Sequence, residues 1–170
     1  RALHREAPRL QLMVITAYQR AGFADQVLDA KREFVSRYGM DQPYWRNFKR
    51  ADAPDIVTEV KKQVDELSRY FHAQAQQSKT RAAYDEAIRW YRKRLAYFPG
   101  ERDSADSNFL LAELLFETDR FGEAAQEYEK TAYQYPNHRR AAEAGYAALL
   151  AYAAHGETLP TAQRGEWQLR

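Results

Sequence analysis

The feature that most constrains this chain is an internal repeat. Residues 84–100 read YDEAIRWYRKRLAYFPG, and residues 121–137, 37 positions further on, read FGEAAQEYEKTAYQYPN. Both copies begin with an aromatic residue, carry Glu-Ala at the third and fourth positions and tyrosine at the eighth, and close with an aromatic residue followed by proline. A fixed period of this length is typical of an array of similar helical units, so each residue is interpreted by its place in the unit.

Each copy is predicted to be the second helix of a helical hairpin. A small residue, Ala87 or Ala124, lets the partner helix approach closely, and a tyrosine follows one turn later on the same face. Proline is expected to end both helices. Upstream of the second copy, apolar residues recur at helical spacing and predict the first helix of that hairpin. These residues are Phe109, Leu111, Ala112, Leu115 and Phe116, and the turn is predicted at Asp119 and Arg120.

Composition predicts an all-α fold. Only 7 glycines and 6 prolines occur among the 170 residues, so most of the chain is free of helix breakers. Because there is no cysteine, disulfides, thiolate zinc sites and cysteine nucleophiles are excluded. The longest apolar run, residues 144–154, is shorter than the roughly 20 residues that cross a bilayer as a helix. No transmembrane segment is therefore expected in this chain.

Together these positions resemble the tetratricopeptide repeat (TPR), a helix-turn-helix unit of about 34 residues. In the better-matching unit, the residues that fit the family pattern are Leu111, Ala112, Phe121, Ala124, Tyr128 and Pro136. In the preceding unit they are Phe71, Ala75, Tyr84, Ala87, Tyr91, Leu95 and Pro99. That unit departs from the pattern at Gln74 and Ser78, where bulky apolar residues are usual. The resemblance implies an all-α, TPR-like superhelix, a solenoid of helical hairpins.

The chain is predicted to divide into five segments of one continuous solenoid. Residues 1–39 are a degenerate TPR-like hairpin that ends at Gly39, and residues 40–55 are an ordered linker with an aromatic plug, Tyr44 and Trp45. Residues 56–100 and 101–137 are TPR hairpins. Residues 138–170 are a partial TPR unit or capping helices, with the turn between its helices at Gly156 and a second helix within residues 159–170.

The length of the repeat also bears on the cellular compartment of the protein. Its 37 residues, ending in an aromatic residue and proline, resemble the TPRs of bacterial envelope proteins, and the phrases YFHAQAQ, FLLAELLFE and AAEAGYAALLAY resemble large bacterial TPR proteins. The resemblance implies a periplasmic or envelope-associated protein, with a cytoplasmic one as the alternative. It also implies a non-enzymatic scaffold that binds a peptide or a segment of a partner protein.

The sequence contains none of the common catalytic, nucleotide-binding or metal-binding motifs. There is no GxSxG, P-loop or GxGxxG, and the four histidines (His4, His72, His138 and His155) stand far apart without metal-ligand spacing. No catalysis, cofactor or metal is therefore expected. The basic clusters RKR (residues 92–94) and HRR (residues 138–140) are accompanied by Glu101, Asp103, Glu127, Glu129 and Glu143, which disfavours nucleic acid as a partner.

The TPR resemblance implies that the first helix of each hairpin lines a groove that receives the partner segment. Carried over position by position, the groove residues are Arg69, His72, Gln76, Lys79, Asp106, Phe109, Glu113, Phe116, Glu117, Glu143, Tyr146 and Leu150. The lysine and asparagine clamp of chaperone-binding TPRs is missing, since His72, Gln76, Phe109 and Glu113 occupy its positions. An aromatic groove of mixed charge suits an extended or helical apolar segment with polar flanks.

Three alternatives remain open at this point. Phe109, Phe116 and Tyr146 could pack against neighbouring helices instead of lining a groove, in which case serine at Phe109 and Phe116 would unfold the chain rather than weaken partner capture. The chain could be a structural segment that stacks on further repeats or on another copy through its ends. It could also be a helical module that serves an enzyme domain outside this sequence.

Overall fold

The computed structural model describes residues 4–135, 138–160 and 163–164, and these residues confirm the all-α prediction. They form eight α-helices and contain no β-strand. The helices are α1 (Ala7–Ala21), α2 (Ala24–Tyr38), α3 (Tyr44–Asn47), α4 (Pro54–Ser78), α5 (Arg81–Tyr97), α6 (Ser104–Glu117), α7 (Phe121–Glu129) and α8 (Ala141–Thr158). A 3₁₀ turn (Arg50–Asp52) precedes α4, and a π-helical segment (Lys130–Gln134) continues α7.

Short turns connect the helices into antiparallel pairs. Gly22 ends α1 in the left-handed conformation (φ 75°), and Lys79 and Asp119 adopt the same conformation after α4 and α6. The Thr80 side chain caps α5 by accepting a hydrogen bond from the Ala83 amide at 3.4 Å. The residue before Pro99, Phe98, is non-helical, because proline disfavours the helical conformation of its predecessor.

Helices that follow one another along the chain pack side by side. The pairs α1/α2, α4/α5 and α6/α7 form hairpins, α4 also packs against α2, and α8 packs against α7. Since α1 and α8 have no such mutual packing, they lie at opposite ends of the stack. Two apolar clusters form the core, one built mainly from α2 and the first part of α4, the other from α5 to α8. Phe71 packs against both clusters and joins them.

The two copies of the repeat occupy equivalent positions in their hairpins. Ala87 and Ala124 are fully buried where α5 and α7 meet the neighbouring helices, and Tyr91 and Tyr128 are buried one turn later. The predicted turn at Asp119 is confirmed, because α6 ends at Glu117 and α7 begins at Phe121. Pro136 and Asn137, which close the second copy, lie outside the described residues.

Between α2 and α4, in the segment predicted as a linker, two aromatic side chains make hydrogen bonds, and α4 begins at Pro54, within the predicted bounds 40–55. Tyr44 is buried, and its hydroxyl donates a hydrogen bond to the Arg5 carbonyl at 3.1 Å. The Trp45 indole donates to the Tyr38 carbonyl at 2.8 Å. The two aromatic residues thus fix the linker against the end of α2.

One sequence-based detail needs correction. Gly156 is not a turn between helices, because α8 continues to Thr158 and the chain leaves the helix at Leu159, the residue before Pro160. Gly39 follows the last residue of α2, with a φ of −54°. Glycine is required here because there is no room for a side chain: a Cβ at this position would lie 2.8 Å from Cζ of Tyr97 and 2.7 Å from the Val35 carbonyl oxygen. Most of the predicted second helix within residues 159–170 lies outside the described residues.

Candidate functional site

Polar side chains of two successive hairpins, α4/α5 and α6/α7, and of the segment that enters α8 meet along one line across α4, α6 and α8. The Gln76 amide of α4 donates to both carboxylate oxygens of Glu117 on α6, at 3.1 and 2.9 Å. Arg140, directly before α8, lies 3.6 Å from the Glu113 carboxylate of α6 and also binds Glu143 at 2.7 Å. We call this set, Gln76, Glu113, Glu117, Arg140 and Glu143, the interhairpin strip. It includes four of the groove residues expected from the sequence.

Phe109 does not line the strip, which corrects the expectation for this residue. Only 2% of Phe109 is exposed, and its ring packs edge-on against Tyr128 at a centroid distance of 5.3 Å. The Arg140 guanidinium covers the ring at 3.5 Å from its centroid. The helical spacing that places Phe109 on the same face as Glu113 does not reveal that the segment before α8 closes over it.

Phe116 and Tyr146, the other two aromatic candidates, differ in exposure. Phe116 is half-buried and packs against Phe121 across the α6/α7 turn, with ring centroids 5.0 Å apart. Tyr146 is exposed on α8, one turn after Glu143, as is Leu150. The surface beside the strip is therefore less aromatic than the sequence predicted.

The remaining candidates on α4 lie near the strip. His72 is half-buried, and its Nδ1 is 3.2 Å from the Tyr91 hydroxyl. Burial lowers the pKa of His72, although the nearby Glu117 opposes this, so the imidazole is neutral at pH 7. Lys79 ends α4 and its Nζ is 3.4 Å from the Gln76 amide oxygen. Arg69 is exposed on the same helix, one turn before His72.

Asp106 belongs to a different surface from the other candidates. Its carboxylate lies 3.2 Å from both His138 Nε2 and the Arg139 guanidinium. These residues line a cleft of about 950 Å³ between the α5/α6 loop and the segment before α8, together with Lys61. Asp106 is therefore separate from the strip, two turns of α6 before Glu113.

At Glu113, the effects that disfavour the charged carboxylate are larger than the effect that favours it. Burial raises the pKa of this carboxyl group, Glu143 and Glu117 add to the effect, and the charge of Arg140 only partly opposes it. Two buried tyrosines flank the same region, and burial raises the pKa of Tyr91 and of Tyr128 to about 12. Both hydroxyls are therefore neutral and keep their protons at physiological pH.

Sequence reasoning missed two contributors to the strip. The Tyr84 hydroxyl donates to Glu117 at 2.7 Å and, with Gln76, holds that carboxylate in place. Tyr84 was assigned only as the aromatic residue that opens the repeat, and nothing in its position signals this contact. Arg140 was assigned to a basic cluster, whereas its position immediately before a predicted first helix could have placed it beside the groove.

Two arginines of the first basic cluster are paired with acidic residues of the fold. Arg94 is fully buried, and its guanidinium binds Asp65 at 3.0 Å, Ser104 at 2.7 Å, the Phe98 carbonyl at 3.1 Å, and Asp103. Arg92 forms a salt bridge with Glu123. Arg94 therefore joins α4, α5 and the start of α6.

No family model and no curated protein matches this chain. Among the described residues, no group of three or more histidine, aspartate or glutamate side chains is placed to hold a metal ion. Within the same part of the chain, none of the helices combines the length and the apolar character needed to span a membrane.

Proposed function

We propose that this chain is a TPR-like helical repeat scaffold that binds a segment of a partner protein along the interhairpin strip, without catalysing a reaction. The observation that carries the proposal is the convergence of Gln76 from α4, Glu113 and Glu117 from α6, and Arg140 from the segment before α8. A partner segment laid across α4, α6 and α8 would contact two hairpins and the following helix at once, which is how helical repeats bind extended ligands.

The assignment to a TPR-like solenoid is supported by two independent features. The 37-residue period in the sequence coincides with a period in packing, since Ala87 and Ala124, and likewise Tyr91 and Tyr128, are buried at equivalent places. Consecutive helices also form antiparallel pairs that stack in chain order. The setting in the bacterial envelope rests on the sequence resemblance alone.

The charges of the strip define the chemistry of the partner. Glu117 is exposed and is held by two neutral groups, Gln76 and Tyr84, and it forms no salt bridge with any described residue. Glu113 is half-buried, and its salt-bridge partner among the described residues, Arg140, also pairs with Glu143. A lysine or arginine of the partner would pair with Glu117 and relieve the repulsion between the neighbouring carboxylates.

Apolar contacts flank these charges. The exposed ring of Tyr146 and the outer edge of Phe116 lie on the same two helices as the acidic residues. The proposed partner is therefore a basic segment that also carries an aromatic or aliphatic side chain. Its charges would provide specificity, and the apolar side chain would bury apolar surface against Tyr146 and Phe116.

A random peptide library displayed on phage tests the proposal. The wild-type chain is the bait, and Glu117→Lys is the variant, because it reverses the charge at the centre of the strip. The control is Glu101→Lys, the same substitution at an exposed residue of the α5/α6 loop. We expect peptides rich in lysine or arginine to be enriched on the wild type and on the control but not on Glu117→Lys. Enrichment that is equal on all three baits would overturn the proposal.

A further inference from the structure

The two ends of the stack expose matching apolar stripes. On α1 the stripe consists of Leu10, Met13 and Val14, and on α8 it consists of Tyr146, Leu149 and Leu150. Each has the spacing i, i+3, i+4, so each forms a continuous ridge on one helical face. Met13 and Leu149, at the centres of the two stripes, are both 67% exposed. Isolated exposed apolar residues are ordinary, but a contiguous set on each terminal helix indicates a contact surface.

The two helices carry opposite charge. Within Ala7–Ala21 the charged residues are Arg9 and Arg20, and within Ala141–Thr158 the acidic residues are Glu143 and Glu157, with His155 in the last turn. Arg9 is matched by Glu6 and Asp55, and Glu143 by Arg140. Arg20 and Glu157 form no salt bridge with the residues that the structure describes. One cation on α1 and one anion on α8, neither in a salt bridge with a described residue, therefore lie beyond the stripes. The Arg164 guanidinium is close to Glu157, but it donates to the Glu157 backbone carbonyl, at 2.7 Å.

The α1 stripe also borders a cleft. The space between α1 and α2 has a volume of about 1020 Å³, and Leu10, Val14 and Tyr18 form part of its wall. A ridge of large side chains such as the α8 stripe would fill such a depression more completely than a flat surface would.

We infer that the chain associates head to tail with a second copy of itself, with the α8 stripe of one copy packed on the α1 stripe and the adjoining cleft of the next. Arg20 of one copy then lies on the same interface as Glu157 of the other. A symmetric pairing of two α1 stripes would instead leave both α8 stripes uncovered and would not bring Arg20 to the same interface as Glu157. Because the two contact surfaces differ, the association does not close at two copies and continues with concentration.

The surface used in this inference overlaps the proposed partner surface at Tyr146, which belongs to the α8 stripe and also lies beside the interhairpin strip. The variants used below leave Tyr146 in place and substitute no residue of the strip. Loss of self-association in these variants would therefore leave the strip contacts of Gln76, Glu113 and Glu117 unchanged, so that failure of this inference and failure of the proposed function can be told apart.

Sedimentation velocity on the full chain, from micromolar to near-millimolar concentration, tests the inference. Two variants block one end each: Met13→Glu with Val14→Glu on α1, and Leu149→Glu with Leu150→Glu on α8. All four residues are exposed, so the fold is retained, and circular dichroism verifies this. We expect the weight-average mass of the wild type to rise above the 19.9 kDa of one chain, while each variant alone stays at that mass.

An equimolar mixture of the two variants is the decisive sample. Each variant retains the end that the other lacks, so the mixture is expected to form a species of twice the single-chain mass and nothing larger, since the blocked ends present only glutamates to each other. A wild type that stays at 19.9 kDa, a variant that dimerises alone, or a mixture that does not associate would each overturn the inference. Arg20→Glu is expected to weaken wild-type association at least several-fold, and adding Glu157→Arg to the same chain is expected to restore it.

Discussion

The guanidinium of Arg140 lies 3.5 Å from the centroid of the Phe109 ring. Phe109 belongs to α6 and Arg140 precedes α8, so the contact joins the α6/α7 hairpin to the start of the following helix. It places a cation over an aromatic face that is otherwise enclosed by Tyr128 and the rest of the core. Phe109, which the sequence predicts to contact a partner, is therefore part of the core.

Replacing Phe109 with alanine is expected to destabilise the fold. The ring is almost fully buried, and deleting a buried phenylalanine ring costs about 3–5 kcal/mol. Guanidinium denaturation followed by circular dichroism measures the loss. Phe116→Ala is the matched comparison, because Phe116 lies on the same helix but is half-buried, and its effect is expected to be clearly smaller. Equal losses for the two variants would show that Phe109 is no more structural than Phe116.

Phe109 is buried and Glu113 is half-buried, although both are predicted to line the groove, and this difference shows which features can be predicted from the sequence. Helical periodicity predicted the hairpins, their turn at Asp119 and the buried pairs of alanine and tyrosine, because these depend on contacts within one repeat. Whether Phe109 faces a groove or a neighbour depends on the side chain that the next segment brings, here Arg140. Glu113 and Glu117 on the same helix remain half-buried and exposed, respectively, because burying a carboxylate without a partner is costly.

Arg94→Met is expected to lower stability by about 3 kcal/mol, at the low end of the cost of removing one member of a buried ion pair, because Asp65 and Asp103 keep part of their hydration. Methionine fills a similar volume but donates no hydrogen bond. Thermal and chemical denaturation measure the change. Arg92→Met, two residues earlier in the same basic cluster, removes only an exposed salt bridge and is expected to cost less than about 1 kcal/mol. If the two variants were equally stable, Arg94 would not join the helices as described.

Gly39→Ala is expected to destabilise the junction of α2 and α5 by about 1–3 kcal/mol. The new Cβ would collide with the Tyr97 ring and with the backbone oxygen of Val35, and the latter belongs to a helix that cannot move freely. Gly100→Ala is the control, since a Cβ there meets no atom within 4 Å. A melting temperature for Gly39→Ala that equals the wild-type value would contradict the close approach of Tyr97.

Glu113→Gln is expected to stabilise the chain at neutral pH. Burial raises the pKa of Glu113 in the folded state above its ordinary value of 4.5, so ionising this group costs more in the folded chain than in the unfolded one. The stabilising effect of the protonated form is complete below pH 4.5 and is lost as pH rises through the folded pKa. The advantage of Glu113→Gln should therefore be present at pH 7 and shrink as pH falls towards 4.5. Denaturation curves at both pH values test this, and an advantage independent of pH would contradict it.

The central claim is that a partner segment lies along the interhairpin strip, and nuclear magnetic resonance mapping tests it most directly. A peptide enriched on the wild-type chain would be titrated into the ¹⁵N-labelled protein, and the shifts of assigned backbone amides followed. We predict that the largest shifts fall on Gln76, Glu113, Glu117 and Glu143, and that Glu117→Lys abolishes them. Shifts confined to α1, or to the cleft around Asp106, would contradict the claim.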